Sequence, residues 1–554
     1  MSIFSTAGPT RRPLGVAAVA ATVATAAILL TSCAGQAASS GSADAGERVD
    51  GGSITAYSAN ITYLDPRQNH GFVGRAIADS LLDIDPETFE LKPWLATAWT
   101  VNEDQTEFGF TLRDDVTFSD GSALNGEVVK ANFDAAVQQI DDGNGWYIRG
   151  LFDNYIETEV VSDTDVVVKF SEPNPAFLPT VPTSFLAILS ADTFDKSYEE
   201  RQSGDFVGSG PFALESYTPN EQITLVRRDD YDWASDASEH TGAASLEKVT
   251  INFVDEQSVR ENALLAGEVQ LAQNPTVEGS KQLVDQGFSL ISRAQSGNPY
   301  SLVPNFARPL TKDLELRRAL SKVIDRDTIQ ASITTDAEPA STSVLTPETF
   351  GYADQSELID FDPAGAEQIL DDAGWVAGDD GIREKDGQRL TFTIVNWWEP
   401  KAVIDALQLI KEDAGKVGIE IDLVNEAPGG STWTDGKGDF LYNNATRADG
   451  GIALYSQYTD EYLQTNSGAT TDEVTEPGSD LSRILEESFV EPDVDARQEL
   501  LAQAQEIIVR DAVRIPVFDN VNSESGYFAS DSKLHGLREN SISELVLYDA
   551  WLGN

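Results

Sequence analysis

From residue 53 onward two hydrophobic periods interleave along the chain, one repeating every second residue and one every three to four. Residues 53–58, 108–112 and 166–170 alternate apolar and polar side chains as half-buried strands do. Residues 128–140 carry the helical period between the second and third of these. Asp163-Thr164-Asp165 marks the turn before the third strand, and residues 60–69, with Asp65-Pro66, read as a loop. The pattern is clearest after residue 386. Asp386-Gly387 is a two-residue hairpin turn that feeds a strand over 391–395. A helix over 401–416 then places Val403, Ala406, Leu407 and Ile410 on one face, and Gly418 ends it. Ile419, Ile421 and Leu423 alternate along the next strand. A strand, a helix and a second strand in this order predict parallel pairing. Upstream, Asp362-Pro363 caps and opens a helix whose apolar face holds Ile369 and Leu370 and which stops at Gly374. Leu316, Ala319, Leu320, Val323 and Ile324 mark another. The expected class is α/β. The acid-rich, glycine-containing stretch 467–479 reads as a surface loop.

The first residues follow a different pattern. Residues 1–33 hold no Asp or Glu, carry Arg11 and Arg12, and continue into an alanine-rich apolar run over 14–30. This is the layout of an export signal. A run of seventeen residues falls short of the roughly 20 that a spanning helix needs. It ends in Leu30-Thr31-Ser32-Cys33, which resembles a bacterial lipobox and makes Cys33 the expected lipidation site after cleavage of a 1–32 signal peptide. Thr10-Arg11-Arg12-Pro13-Leu14 suits either a twin-arginine or an ordinary secretory route. Residues 33–52 are Ala, Ser, Gly and acid, a flexible tether.

Composition narrows the functional classes. The chain has 554 residues, 41% hydrophobic and 9% aromatic, enough for several cores. Its 92 acids against 38 bases give a formal charge of −54, which repels phosphate backbones and excludes a nucleic-acid partner. We read this charge mainly as a solvated acidic coat. One Cys rules out a disulfide framework, and three His argue against a metal centre. Gly208-Ser209-Gly210-Pro211-Phe212-Ala213 fits G-x-G-x-x-A formally, but Pro211 and the strand-like residues beyond it predict a glycine turn into a hairpin. A dinucleotide site would need a helix there. The sequence has no P-loop, no H-E-x-x-H and no G-x-S-x-G. These absences favour a binding protein without cofactor or metal over an enzyme.

Seven segments then coincide with a family pattern. They are Leu64-Asp65-Pro66; Pro93-Trp94-Leu95-Ala96-Thr97-Ala98-Trp99; the strand and turn from Phe110 through Arg113-Asp114-Asp115 to Ser119-Asp120-Gly121; Val207-Gly208-Ser209-Gly210-Pro211-Phe212 with Arg228 to Tyr231 after it; Leu264-Leu265-Ala266-Gly267-Glu268-Val269; Leu316-Arg317-Arg318-Ala319-Leu320 with Ile324-Asp325-Arg326; and the helix from Asp362 to Trp375. In these the chain resembles the family 5 extracellular solute-binding proteins of oligopeptide, dipeptide and nickel ABC importers, in lipoprotein form. The resemblance implies a two-lobed, type II-like periplasmic-binding-protein fold with an extra domain and a hinge between the lobes. The expected division is 53–75, 205–295 and 515–554 for the core of lobe I, 76–204 for its accessory domain, and 296–514 for lobe II.

The resemblance also points to a ligand site. Asp449, in Thr446-Arg447-Ala448-Asp449, matches the residue that meets a ligand's α-ammonium in peptide-binding relatives. It is expected to pair either with ligand or with Arg447, and Arg447 could itself hold a ligand carboxylate. Gly450-Gly451 stands where relatives carry Tyr. Trp397 and Trp398, beyond the strand 391–395, point to opposite faces, so at most one of them is expected in the cleft, the alternative being that both pack under a loop. Tyr300, His70 and Phe72 are further candidates, and Trp146-Tyr147 in the accessory domain is a weaker pair. The implied function is a monomeric receptor, anchored through Cys33 to the outer face of the cytoplasmic membrane. It would capture a peptide or peptide-like solute and pass it to permease and ATPase subunits. A metal-chelate or siderophore receptor, a secreted hydrolase and a surface adhesin or sensor are the rival readings.

Overall fold

The computed structural model describes residues 48–553 except 62, 69–72, 86, 292–294, 334–338, 398–400, 520–526, 531–532, 541 and 543. The signal segment, Cys33, His70, Phe72 and Trp398 therefore lie outside the described residues. No helix among the described residues is long and apolar enough to cross a membrane.

Three sheets organise the chain. The first has seven strands in the spatial order Phe288–Ile291, Tyr527–Ser530, Leu271–Gln273, Ser53–Ser58, Lys248–Phe253, Gln222–Arg227 and Phe212–Thr218. Ser53–Ser58 sits in the middle, parallel to Lys248–Phe253 and to Leu271–Gln273, and buries Ile54 and Ala56. The turn through Gly208 and Gly210 leads into the antiparallel hairpin of Phe212–Thr218 and Gln222–Arg227, as the proline-bearing turn predicts.

A four-stranded antiparallel sheet, Ala96–Val101, Glu107–Leu112, Asp165–Phe170 and Tyr155–Val160 in that order, forms a further layer, here called the accessory layer, whose core is continuous with that of the first sheet. Alternation turns Phe108, Phe110, Val166, Val168 and Phe170 inward against the helix Gly126–Asp141. That helix starts two residues earlier than its apolar stripe because the Asn125 side chain accepts the Val128 N–H. Phe177 is the hub of this core, with ring centroids 4.9 Å from Phe108, 5.1 Å from Phe170 and 5.7 Å from Phe133. Burying each such side chain stabilises the layer by about 1.5–3 kcal/mol.

The second large sheet holds five strands in the order Glu420–Asn425, Thr391–Asn396, Phe440–Thr446, Gly297–Pro304 and Ile515–Phe518. Thr391–Asn396 runs parallel to both of its neighbours, and the helix Lys401–Lys416 makes the crossover. Asp386 and Gly387 both take positive φ, as a two-residue hairpin turn requires. Asp362 caps the helix Pro363–Asp372 through the Gly365 N–H.

Two expectations are corrected. Residues 515–518 belong to the second sheet, because Ile515–Phe518 pairs with Gly297–Pro304; only from Tyr527 onward does the chain rejoin the first sheet. The stretch 467–479 is not only loop. Thr470 and Glu473 form a reciprocal capping box that starts the helix Thr471–Val474, and Gly468, in the left-handed conformation, ends the helix before it. The chain thus passes between the two large sheets twice, after Ile291 and after Phe518.

Candidate functional site

Two parallel strands of the second sheet end level, at Asn425 and Asn396, and a third, Phe440–Thr446, passes Asn396 at Tyr442 and runs four residues further in the same direction to Thr446. Gly297, which begins the antiparallel neighbour, lies at the same edge, opposite Thr446. Ligands of open α/β sheets bind outside the carboxyl ends of strands, so this edge is where a site is expected. It is lined by amides: the Asn396 side-chain NH2 donates to Asn425 Oδ1 at 2.9 Å, and that of Asn444 to Gln295 Oε1 at 3.3 Å.

Trp397 follows Asn396 and is half-buried, its indole beside Glu426. Burial works to raise the Glu426 carboxyl. The backbone N–H groups of Thr432 and Trp433, at 3.1 and 3.2 Å, outweigh it and hold the group below its ordinary value. Glu426 is thereby committed to the start of the short helix Ser431–Thr434.

Asp449 pairs with Arg497 and not with Arg447. It caps the helix Gly450–Tyr458 through the Ile452 N–H at 3.2 Å, and Arg497 grips it with two bonds of 2.8 and 2.6 Å. Asp449 is fully buried and Arg497 nearly so. Gly451 makes this possible: a Cβ there would lie 2.2 Å from Arg497 Nη2 and 2.9 Å from Asp449 Oδ1. The helical period could have revealed Arg497, which occupies the buried stripe of Val494–Arg510 four residues before Leu501 and eight before Gln505. A charge in such a stripe demands a buried counter-charge.

The side chain of Arg447 contacts carbonyls, and Asp449 is not among its partners. Its Nη1 donates to Thr446 O and its Nη2 to Trp146 O, each at 2.7 Å. The second bond crosses to the accessory layer, on the loop between Gly126–Asp141 and Tyr155–Val160. Trp146 itself is largely exposed, and Tyr147 stacks on Phe185 at 4.5 Å. Burial pushes the Arg447 guanidinium down to about 10; Tyr147 opposes this, and the nearby Arg514 and Arg149 add to it. Further bonds close the same seam. Tyr462 donates to Asp153 at 3.0 Å, Gln105 to the Pro492 carbonyl at 3.0 Å, and Arg149 lies 4.4 Å over the Tyr462 ring.

Tyr300 is not at the site. Its ring packs between Tyr442 and Phe518, at 5.5 and 5.0 Å, fully buried in the second sheet's core. A register shift between Asn298 and Ser301 alters the face parity on which a sequence reading relies.

Asp519 stands at the same edge, directly after Ile515–Phe518. It is buried and accepts a 2.7 Å bond from the Ser341 hydroxyl. Burial raises its carboxyl to about 7; the hydroxyl opposes this and Glu348 adds to it. An unfolded Asp titrates near pH 4 (about 3.9), so the native state keeps a proton that the unfolded chain releases. This contribution is complete below about pH 4 and is lost as pH rises to about 7. Urea unfolding of wild type and Asp519→Asn across pH 4–8 should show the wild type losing stability relative to the variant over that window. A pH-independent difference would refute the assignment.

Two α/β sheets joined by two chain crossings, with a polar strand edge closed against a third layer, define the frame of a solute receptor. The chain belongs to the bacterial extracellular solute-binding proteins, family 5, whose "Middle" model matches residues 90–504. Members of this family are binding receptors and not catalysts. The fold is similar to that of the ABC transporter-associated periplasmic binding protein DppA from Helicobacter pylori, solved with the peptide STSA. The TM-score is 0.74 at 21% identity, covering 91% of this chain and 99% of that one. In sequence the chain is 27% identical over 331 residues to the glutathione-binding protein of Salmonella typhi, a match covering 59% of this chain and 62% of that relative. It is 25% identical over 390 residues to the nickel-binding periplasmic protein of Escherichia coli, covering 67% and 70%.

Proposed function

We propose that this protein is the substrate-binding component of an ABC importer, capturing a peptide or peptide-like solute between its lobes and delivering it to permease and ATPase subunits. The observation that carries this reading is the amide-lined carboxyl edge of the second sheet, closed against the accessory layer by the Arg447 bond to Trp146. The two chain crossings are the connections that a hinge closure needs. Relatives that bind a peptide, glutathione or nickel support the same class of cargo. Export and lipidation at Cys33 would hold the receptor at the outer face of the membrane. A carboxylate-bearing metal chelate is a second reading, favoured by the arginines at this edge.

Native mass spectrometry of freshly purified protein tests the proposal. A small solute should remain bound and be released on denaturation, and a metal isotope pattern in its mass would select the chelate. Protein that is ligand-free from several growth media, and shows no thermal shift with a peptide pool, would refute capture.

A further inference from the structure

The buried arginines differ in what satisfies them. Arg317 donates to the carbonyls of Thr311, Lys312, Asp511 and Ala512, and Arg260 to those of Val254, Asp255, Gln273 and Asn274. Arg75 and Arg497 hold carboxylates, Asp83 and Asp449. Arg447 fits neither group. It is 9% exposed, has only the two carbonyl contacts at the seam, and its buried Nε–H has no acceptor. Among the described residues no carboxylate lies within ion-pair distance of it.

Arg514 lies close by. It is fully buried and bonded to Gln457, Tyr458 and the carbonyls of Pro299 and Asn443, with its own Nε–H unpaired. Arg149 adds a third positive charge from the accessory side. A chain with 92 acidic residues thus buries two arginines, Arg447 and Arg514, that have no carboxylate within ion-pair distance among the described residues, near the edge where a ligand is expected; Arg149 has Asp153 beside it. The carboxylate that could meet a ligand's ammonium is meanwhile saturated: Asp449 takes two bonds from Arg497 and one from Ile452.

We infer that the cleft holds its solute by the anionic end, with Arg447 as the carboxylate anchor and no counter-charge supplied by Asp449. The inference rests on the receptor reading above and narrows its ligand class. The Nε–H and one Nη–H of a guanidinium lie side by side and match the two oxygens of a carboxylate. Such a ligand would satisfy the orphan donor and neutralise the cluster. An ammonium brought to the same place would meet like charge.

Trialanine and glutathione, each as free acid, carboxyl-amidated and N-acetylated, are the probes, with affinity read by calorimetry. Free acids and N-acetylated acids should bind within about threefold of each other, and amidation should weaken binding by about 30-fold or more. In Arg447→Gln the difference between acid and amide should collapse, and Arg447→Lys, which keeps charge without the fork, should fall between; unchanged melting of both variants shows that folding is intact. Equal binding of acids and amides, or loss on N-acetylation alone, would overturn the anchor while leaving a peptide receptor in place. Failure of every form to bind would overturn the peptide reading, and the anchor with it.

Discussion

Replacing Asp449 by Ala should lower folding stability by about 3–5 kcal/mol, the range for removing one partner of a buried ion pair. The physical cause is what remains. Arg497, 3% exposed, would keep its charge in a place that water does not reach, with only the Ser488 carbonyl at 3.0 Å as acceptor. The Ile452 N–H would lose its cap as well, a further cost of about 1 kcal/mol. Asp449→Asn separates the two effects, because its amide oxygen can still cap the helix while the guanidinium stays uncompensated. Arg497→Met should also destabilise, by leaving the carboxylate buried. The double variant Asp449→Ala/Arg497→Met should cost clearly less than the sum of the single changes. Urea unfolding of the four proteins measures the coupling, and additive costs would mean that the pair is not the unit described here. Ligand affinity, compared under conditions where each variant is folded, should change little for Asp449→Asn. A large loss would return Asp449 to the ligand.

Gly297→Ala should be the most damaging single-methyl change at the candidate site. Gly297 has φ +122°, a conformation closed to L side chains without strain, and an added Cβ would lie 2.1 Å from the Ala445 carbonyl oxygen and 2.6 Å from the Arg447 nitrogen. Both obstacles are backbone, so no side chain can turn aside to relieve them. Strain and overpacking together should cost about 3 kcal/mol. Relief should come from parting Gly297 from the end of Phe440–Thr446, which would open the 3.0 Å bond from Arg447 N to Ser296 O. Arg447 then shifts, and a misplacement of about 1 Å in a bidentate geometry should weaken carboxylate binding by about tenfold or more. Calorimetry with the solute that co-purifies with wild type, alongside urea unfolding, reads both consequences. Unchanged stability would show that the two strands can separate freely at this edge.

Much of the second sheet was legible because its signals are local. The turn Asp386-Gly387, the stripe of Val403, Ala406, Leu407 and Ile410, and the alternation of Ile419 and Ile421 each report a backbone geometry within a few residues, and the matching elements follow them. Ile515–Phe518 carries no local signal of its sheet, because its four residues would suit any buried strand. Its partner, Gly297–Pro304, lies about two hundred positions away. Tyr300 fell to the core through a register irregularity that no alternation pattern displays. Arg497 and Asp449, 48 positions apart, carry no mutual signal beyond each being a charge at a buried place.

By itself, then, the sequence determined the elements, their α/β class, the acidic surface and the family pattern, since hydrophobic period, caps and turns act over one or two turns of chain. Only the tertiary structure decided which charges compensate one another. That choice depends on distance through space and on burial, and it commits Asp449 to Arg497 while leaving Arg447 and Arg514 without a carboxylate among the described residues. The polarity inferred for the site follows from that choice, because in a buried place an unpaired charge is the strongest constraint on what can bind beside it.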